Sequence, residues 1–218
     1  MVRSLQLRIL VFGLIFAFAI ITGDSFGTPE KISISKSYQN AFEVSYRMTS
    51  IAKYDEAIKP LMKLLDQNPS DYTVNLRLGY LNNLNGDLDA SIHFYRSAVK
   101  LKPKALEPKL GLIKPLLTKM DYKEAIAVGL SALKLDPKNY TFLSKVAYSY
   151  YLLGKYEKAA AYYERILELY PTDLAMRNGL GWSYLEAGNK EKAKKEFIQI
   201  LLLSPYNQSA LFGHHKCK

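Results

Sequence analysis

Disulfides, zinc fingers and long membrane spans are all poorly provided for in this chain, whose 218 residues contain one cysteine, one tryptophan and three histidines. Cys217 has no second cysteine to pair with, so no intrachain disulfide contributes to stability, and the fold must be held by packing. His93 stands alone, and His214, His215 and Cys217 sit together in a short tail without a zinc spacing, so no metal is expected. The chain has no G-x-S-x-G, no phosphate-cradling glycine loop, no His-x-x-x-His and no carboxylate pair outside helix-capping positions. An enzyme is therefore not expected, and neither is a cofactor. Acidic residues are outnumbered, 20 against 30 basic, which gives a net charge of +10. The lysines are spread along the chain, and the densest group, NKEKAKKE, interleaves Glu191 and Glu196 as a solvated helix face would. With few arginines and no zinc spacing, nucleic acid is not an expected partner.

The longest apolar run covers residues 9–21, short of the roughly 20 residues a spanning helix requires. Arg3 and Arg8 precede it and the small residues Gly23, Ser25 and Gly27 follow, the layout of a secretory signal peptide over 1–27. No clean small-x-small cleavage site is present, so an uncleaved N-terminal anchor stays open as the alternative. Either way the remainder is expected outside the cytoplasm, in the periplasm or cell envelope. The membrane would be touched only through this segment, and only if it is uncleaved. A linker is expected at 28–37.

What the sequence does contain is a clock. Pro69, Pro103, Pro137, Pro171 and Pro205 follow one another at intervals of 34 residues. With proline at position 32, the repeats are 38–71, 72–105, 106–139, 140–173 and 174–207, and 208–218 begins a sixth. Position 20 is small throughout, as Ala57, Ser91, Ala125, Ala159 and Ala193. Position 24 is large in four repeats, as Leu61, Tyr95, Tyr163 and Phe197, so small opposite large can interlock two helices. Gly86, Gly154 and Gly188 mark a turn, followed by Asp87, Asp121 and Asn189 as helix caps, and each proline ends a helix.

With these residues the chain resembles the tetratricopeptide repeat family, whose unit is a helix–turn–helix of this length. The resemblance implies an all-α fold, a right-handed α-solenoid of five 34-residue helix–turn–helix repeats plus a partial sixth, with the first helix of each pair (helix A) lining a concave groove. In the family, position 9 faces that groove. Here it reads Tyr46, Tyr80, Lys114, Tyr148 and Trp182, with Tyr151 one turn beyond Tyr148. Aromatic rings on a concave wall suit a peptide, a partner helix or a sugar ring. The expected function is a non-enzymatic scaffold of the cell envelope that binds a protein partner in this groove. A glycan-binding or polysaccharide-export component is the alternative. Relatives that hold the terminal carboxylate of chaperones use polar and cationic residues at positions 2, 5, 6 and 9. Those positions are Gln39, Phe42, Glu43 and Tyr46, then Thr73, Leu76, Arg77 and Tyr80, so that clamp is absent. Arg77 and Lys145 at position 6 are isolated matches.

The third repeat departs from the pattern, with Pro115 inside helix A, Ile113 where a small residue is usual and Gly129 where a large one is. It is expected to be the bent or weak link, with Pro60 a second kink. The sixth helix A stops without its partner, so the reading frame is expected either to end in a short cap or to continue.

Overall fold

The computed structural model describes residues 35–218. The segment 1–27 and most of 28–37 lie outside the described residues. The chain separates into Met1–Lys36 and Ser37–Lys218, and the architecture below belongs to the second unit.

Among the described residues there are eleven helices and no strand. The first helices of the repeats are α1 (Lys36–Ser50), α3 (Tyr72–Asn85), α5 (Glu107–Thr118), α7 (Tyr140–Leu152) and α9 (Leu174–Glu186). Their partners are α2 (Tyr54–Gln67), α4 (Leu88–Leu101), α6 (Tyr122–Leu133), α8 (Tyr156–Leu169) and α10 (Lys190–Leu203), and α11 (Gln208–Lys216) opens a sixth repeat. From α2 onward each helix packs against the next in chain order, and α1 joins the cluster of Ala57, Leu61 and Leu78 through Ala41, so contacts stay local and the unit is a solenoid. None of these helices is long and apolar enough to cross a membrane. Helix α1 already begins at Lys36, so the last residues of the expected linker are helical.

The interlock is present at each predicted position. Ala57, Ser91, Ala125, Ala159 and Ala193 are buried, as are Leu61, Tyr95, Tyr163 and Phe197. Each of these large side chains contributes roughly 1.5–3 kcal/mol by leaving water. The rings do more than fill a helix pair, because they reach the next repeat. A Cβ on Gly79 would stand 2.8 Å from the Tyr95 ring, and one on Gly111 only 2.3 Å from it. Tyr163 meets Gly179 in the same way, and Phe197 meets both Gly181 and Gly213. So position 24 of one repeat presses on position 6 of the next, sixteen residues later, wherever position 24 is an aromatic ring. Where it is not, as at Leu61 and Gly129, position 6 holds Arg77 or Lys145 instead of glycine.

Polar ties also cross the repeat boundaries. Position 4 is polar in three repeats and binds the carbonyl of the preceding proline. Asn75 Nδ2 donates to Pro69 at 3.0 Å, Arg177 Nη2 to Pro171 at 2.6 Å, and Lys109 Nζ to Pro103. Lys109 is buried, and burial holds its ammonium below its ordinary pKa. Position 1 reaches position 34: Tyr38 donates to Asp71 at 3.3 Å and Tyr140 to Asp173 at 2.7 Å, while both aspartates cap the following helix A. Asp87, Asp121 and Asn189 cap α4, α6 and α10 as expected.

In the third repeat α5 and α6 are twelve residues each, the shortest pair among the five, and the cap position before α5 is Leu106, which offers no side-chain cap. Helix α5 nevertheless runs on through Pro115, and α2 through Pro60. Gly129 is the complement of a neighbour: a Cβ there would lie 2.4 Å from Cγ2 of Val146, so the β-branched side chain of α7 occupies the space of the missing ring. The turn between helices needs left-handed backbone, which Gly86, Gly154 and Gly188 supply; Ala52 (φ 57°) and Met120 (φ 61°) adopt it with a Cβ.

Candidate functional site

Side chains at positions 2, 5, 6, 9, 12 and 13 of helix A share one face, because these spacings recur every three to four residues. In the stack that face forms a groove with two separate depressions. The first, about 690 Å³, crosses α1, α3 and α5 and is lined by Tyr46, Arg77, Tyr80 and Lys114 among others, with Tyr95 at its floor. The second, about 440 Å³, lies between α7 and α9 and is lined by Tyr148, Tyr151 and Trp182, with Tyr163, Asn178 and Gly179 beneath.

The six residues expected to form one track are thus divided three and three, and no residue lines both depressions. Tyr46 (59% exposed), Tyr80 (42%) and Tyr148 (47%) present their rings to solvent. Lys114 is exposed at the end of the first depression. Tyr151 is half-buried and edge-on to Tyr156, and burial raises its phenol pKa. Trp182 differs from the simple expectation of a groove residue, since part of it is packing. Its ring lies edge-on to Phe197 at 5.5 Å and near Phe212 at 6.0 Å, and its indole N–H donates to Ser209, whose hydroxyl donates to Asn178. Helix α11 therefore fixes Trp182 and Asn178, two residues of the second depression, from behind.

Arg77 organises the first depression and stood only as an isolated match in the sequence. Its guanidinium lies 4.1 Å from the Tyr46 ring centre and 5.3 Å from that of Tyr80. Nε donates to Ser45 Oγ at 3.2 Å and Nη2 to Thr49 Oγ1 at 2.8 Å. Burial pulls its pKa down and the two tyrosines oppose this, but a guanidinium stays charged at any physiological pH. The signal that could have found it is the sixteen-residue spacing: where position 24 is not aromatic, as at Leu61, position 6 of the next repeat is a long cation instead of glycine. Phe212, exposed beside Trp182, is a second residue that the sequence reading left out.

Among the described residues no group of three or more histidine, cysteine or acidic side chains could hold a metal. Cys217 is buried, and burial raises its thiol pKa, which makes it a poor nucleophile. The arrangement offers contact area, hydrogen-bonding tips and fixed positive charge, the equipment of a helical repeat protein that binds along an extended surface.

The comparisons define the family. Tetratricopeptide repeat models match residues 51–105 and 116–174 in one case and 150–206 in another. The chain belongs to the tetratricopeptide repeat family. Its fold is similar to that of the MamA protein, at 20% identity, a TM-score of 0.72 and coverage of 80% of this chain and 97% of that one. A tetratricopeptide repeat protein from Parabacteroides merdae ATCC 43184 gives 19% identity, a TM-score of 0.75 and coverage of 83% and 72%. MamA 41-end from Desulfovibrio magneticus RS-1 gives 16% identity, a TM-score of 0.72 and coverage of 81% and 99%. These likenesses carry the fold, a right-handed α-solenoid. No curated protein matches at a significant level. The fold is that of a protein-binding scaffold, and no catalytic family is indicated.

Proposed function

We propose that the protein is an exported scaffold of the cell envelope that holds a peptide or a partner helix in the groove of its helices A. The observation that carries this reading is the row formed by Tyr46, Tyr80 and Tyr148. These rings stand open on one helix face and take no part in the position-20 and position-24 interlock, so the fold does not require them there. Exposed aromatic rings on a rigid wall are the usual anchors of binding energy. Export is supported by Arg3, Arg8 and the apolar run at 9–21, with an uncleaved anchor as its variant.

Trp182 favours a polypeptide over a sugar as the occupant. Its N–H is already engaged by Ser209 and one flank by Phe197, which leaves little free aromatic face for ring-on-ring stacking. Quenching of Trp182 emission by soluble glycans, with no response to peptides, would reverse that choice.

Two measurements test the reading. Mass spectrometry of the protein recovered from cells is expected to find a chain that starts between residues 24 and 28, or an intact chain in the membrane fraction; an intact cytoplasmic chain sinks export. For the groove, Tyr148→Ala is expected to cost on the order of 2 kcal/mol of affinity for a crosslinked envelope partner while the melting temperature is kept. Ala159→Leu should overpack the helix pair and lower the melting temperature instead. Equal loss of fold in both variants would make the row part of the packing.

A further inference from the structure

The two depressions differ in charge, and the difference specifies the segment that fits them. The ion pairs among the described residues join Arg47 to Glu43, Lys53 to Glu56, Arg96 to Glu124, Lys119 to Asp89 and Arg177 to Glu196. The cations on the groove face of α3, α5 and α7, namely Arg77, Lys114 and Lys145, are in none of them. Arg77 is bonded only to the neutral groups of Ser45 and Thr49, through Nε and Nη2, and Nη1 makes no bond to a described residue. Glu107 lines the same depression without pairing to either cation there, so the first depression keeps a net positive charge. A guanidinium drawn partly out of water and oriented by neutral partners on one side, as that of Arg77 is, gains a charge-assisted bond when a carboxylate arrives on the other, and the exposed Lys114 adds a second charge. No charged side chain lines the second depression, whose walls are Tyr148, Tyr151 and Trp182.

Resting on the groove reading above, we infer that the occupant is an extended acidic segment with an aromatic or large aliphatic anchor. Its acidic side chains lie over α3 to α7, and the anchor enters the depression between α7 and α9. Packed helices stand about 10 Å apart, the length of about three residues of extended chain, so the acids recur at about every third residue. The first two repeats lack the polar pair at positions 2 and 5 that would grip a terminal carboxylate, so the acids over α3 are internal side chains.

The test uses the full chain and three fluorescein-labelled peptides with acetylated and amidated ends. The first carries glutamate at every third residue followed by phenylalanine, the second has lysine for glutamate, and the third has alanine for phenylalanine. By fluorescence polarisation the first is expected to bind at least about tenfold more tightly than either twin, and to weaken as salt is added. Lys114→Gln, at an exposed position, and Tyr148→Ala are each expected to weaken it by about tenfold with unchanged circular dichroism. Equal binding of the lysine peptide overturns the acidic assignment, and the groove reading survives if Tyr148→Ala still weakens that peptide. Equal binding of the alanine peptide overturns the anchor. If none of the three binds or changes Trp182 emission, this inference and the peptide-groove reading fall together.

Discussion

Between α1 and α5 the groove presents a guanidinium stacked on two tyrosines, and between α7 and α9 three aromatic rings with no charge. Both surfaces come from the same helix pair repeated, and they differ at position 6 of α3, where Arg77 stands in place of the glycine of α5 and α9. Tyr163 extends under α9 against Gly179 just as Tyr95 extends under α5 against Gly111, so each depression has a tyrosine–glycine contact at its floor. Position 24 of the first repeat is Leu61 rather than an aromatic ring, and position 6 of the second holds Arg77, which lines the first depression. The side chain at position 6 of each groove helix thus goes with the kind of side chain at position 24 of the repeat before it.

The largest effect expected from breaking this comparison is on the aromatic side. Phe197 is fully buried and is the ring on which Gly181, Gly213 and Trp182 all rest. Phe197→Ala should cost about 3–5 kcal/mol in chemical denaturation, shift Trp182 emission, and leave α1 and α3 folded. Next come the glycines under the rings. Gly111→Ala and Gly179→Ala place a Cβ within 2.6 Å of buried tyrosine atoms and should each cost about 1–3 kcal/mol, measured by thermal melting.

The charged side is sharpened by a swap. Leu61→Tyr alone should be destabilising by about 1–3 kcal/mol, and adding Arg77→Gly should recover about 1 kcal/mol of that loss if the spacing argument holds. A coupling near zero in the double-mutant cycle would dissolve the link between interlock and groove.

A smaller contrast lies in the two tyrosine–aspartate ties. The hydrogen bond to Asp173 is the first cause, with burial, that pushes the Tyr140 phenol up to about 12 from 10.0; burial, then Asp71, raises that of Tyr38. A folded-state pKa above the unfolded one means stability that is complete below about pH 10 and lost as pH rises through the folded value. Tyr140→Phe should therefore be less stable than the parent at neutral pH, with the gap closing between pH 10 and 12. Tyr38→Phe should show the same trend with a smaller amplitude, since its bond is 3.3 Å against 2.7 Å. The smallest effect is at the turns: Met120→Gly relieves a left-handed Cβ and should raise stability by up to about 1 kcal/mol.

Much of the fold was legible because a solenoid writes its geometry into a period. Proline spacing, small residues at position 20 and large ones at position 24 are local demands of a helix pair, and they read the same in every copy. The third repeat was legible as unusual from Pro115, Ile113 and Gly129, and α2 and α5 both continue through their prolines. Of the candidate site, the residue row was legible and its division was not. Trp182 belongs to the row by its number, yet α11 draws one face of it into packing through Ser209 and Phe212, a contact between elements that no single repeat contains.

The sequence by itself determined the helix pairs, their lengths, their caps and the register that brings position 9 to one face, because each depends on residues within a few turns of one another. Only the tertiary structure decided which groove residues stand together and with what charge. That depends on how far a ring from one repeat penetrates the next, and such reach is set by packing across an interface whose two sides lie sixteen residues apart.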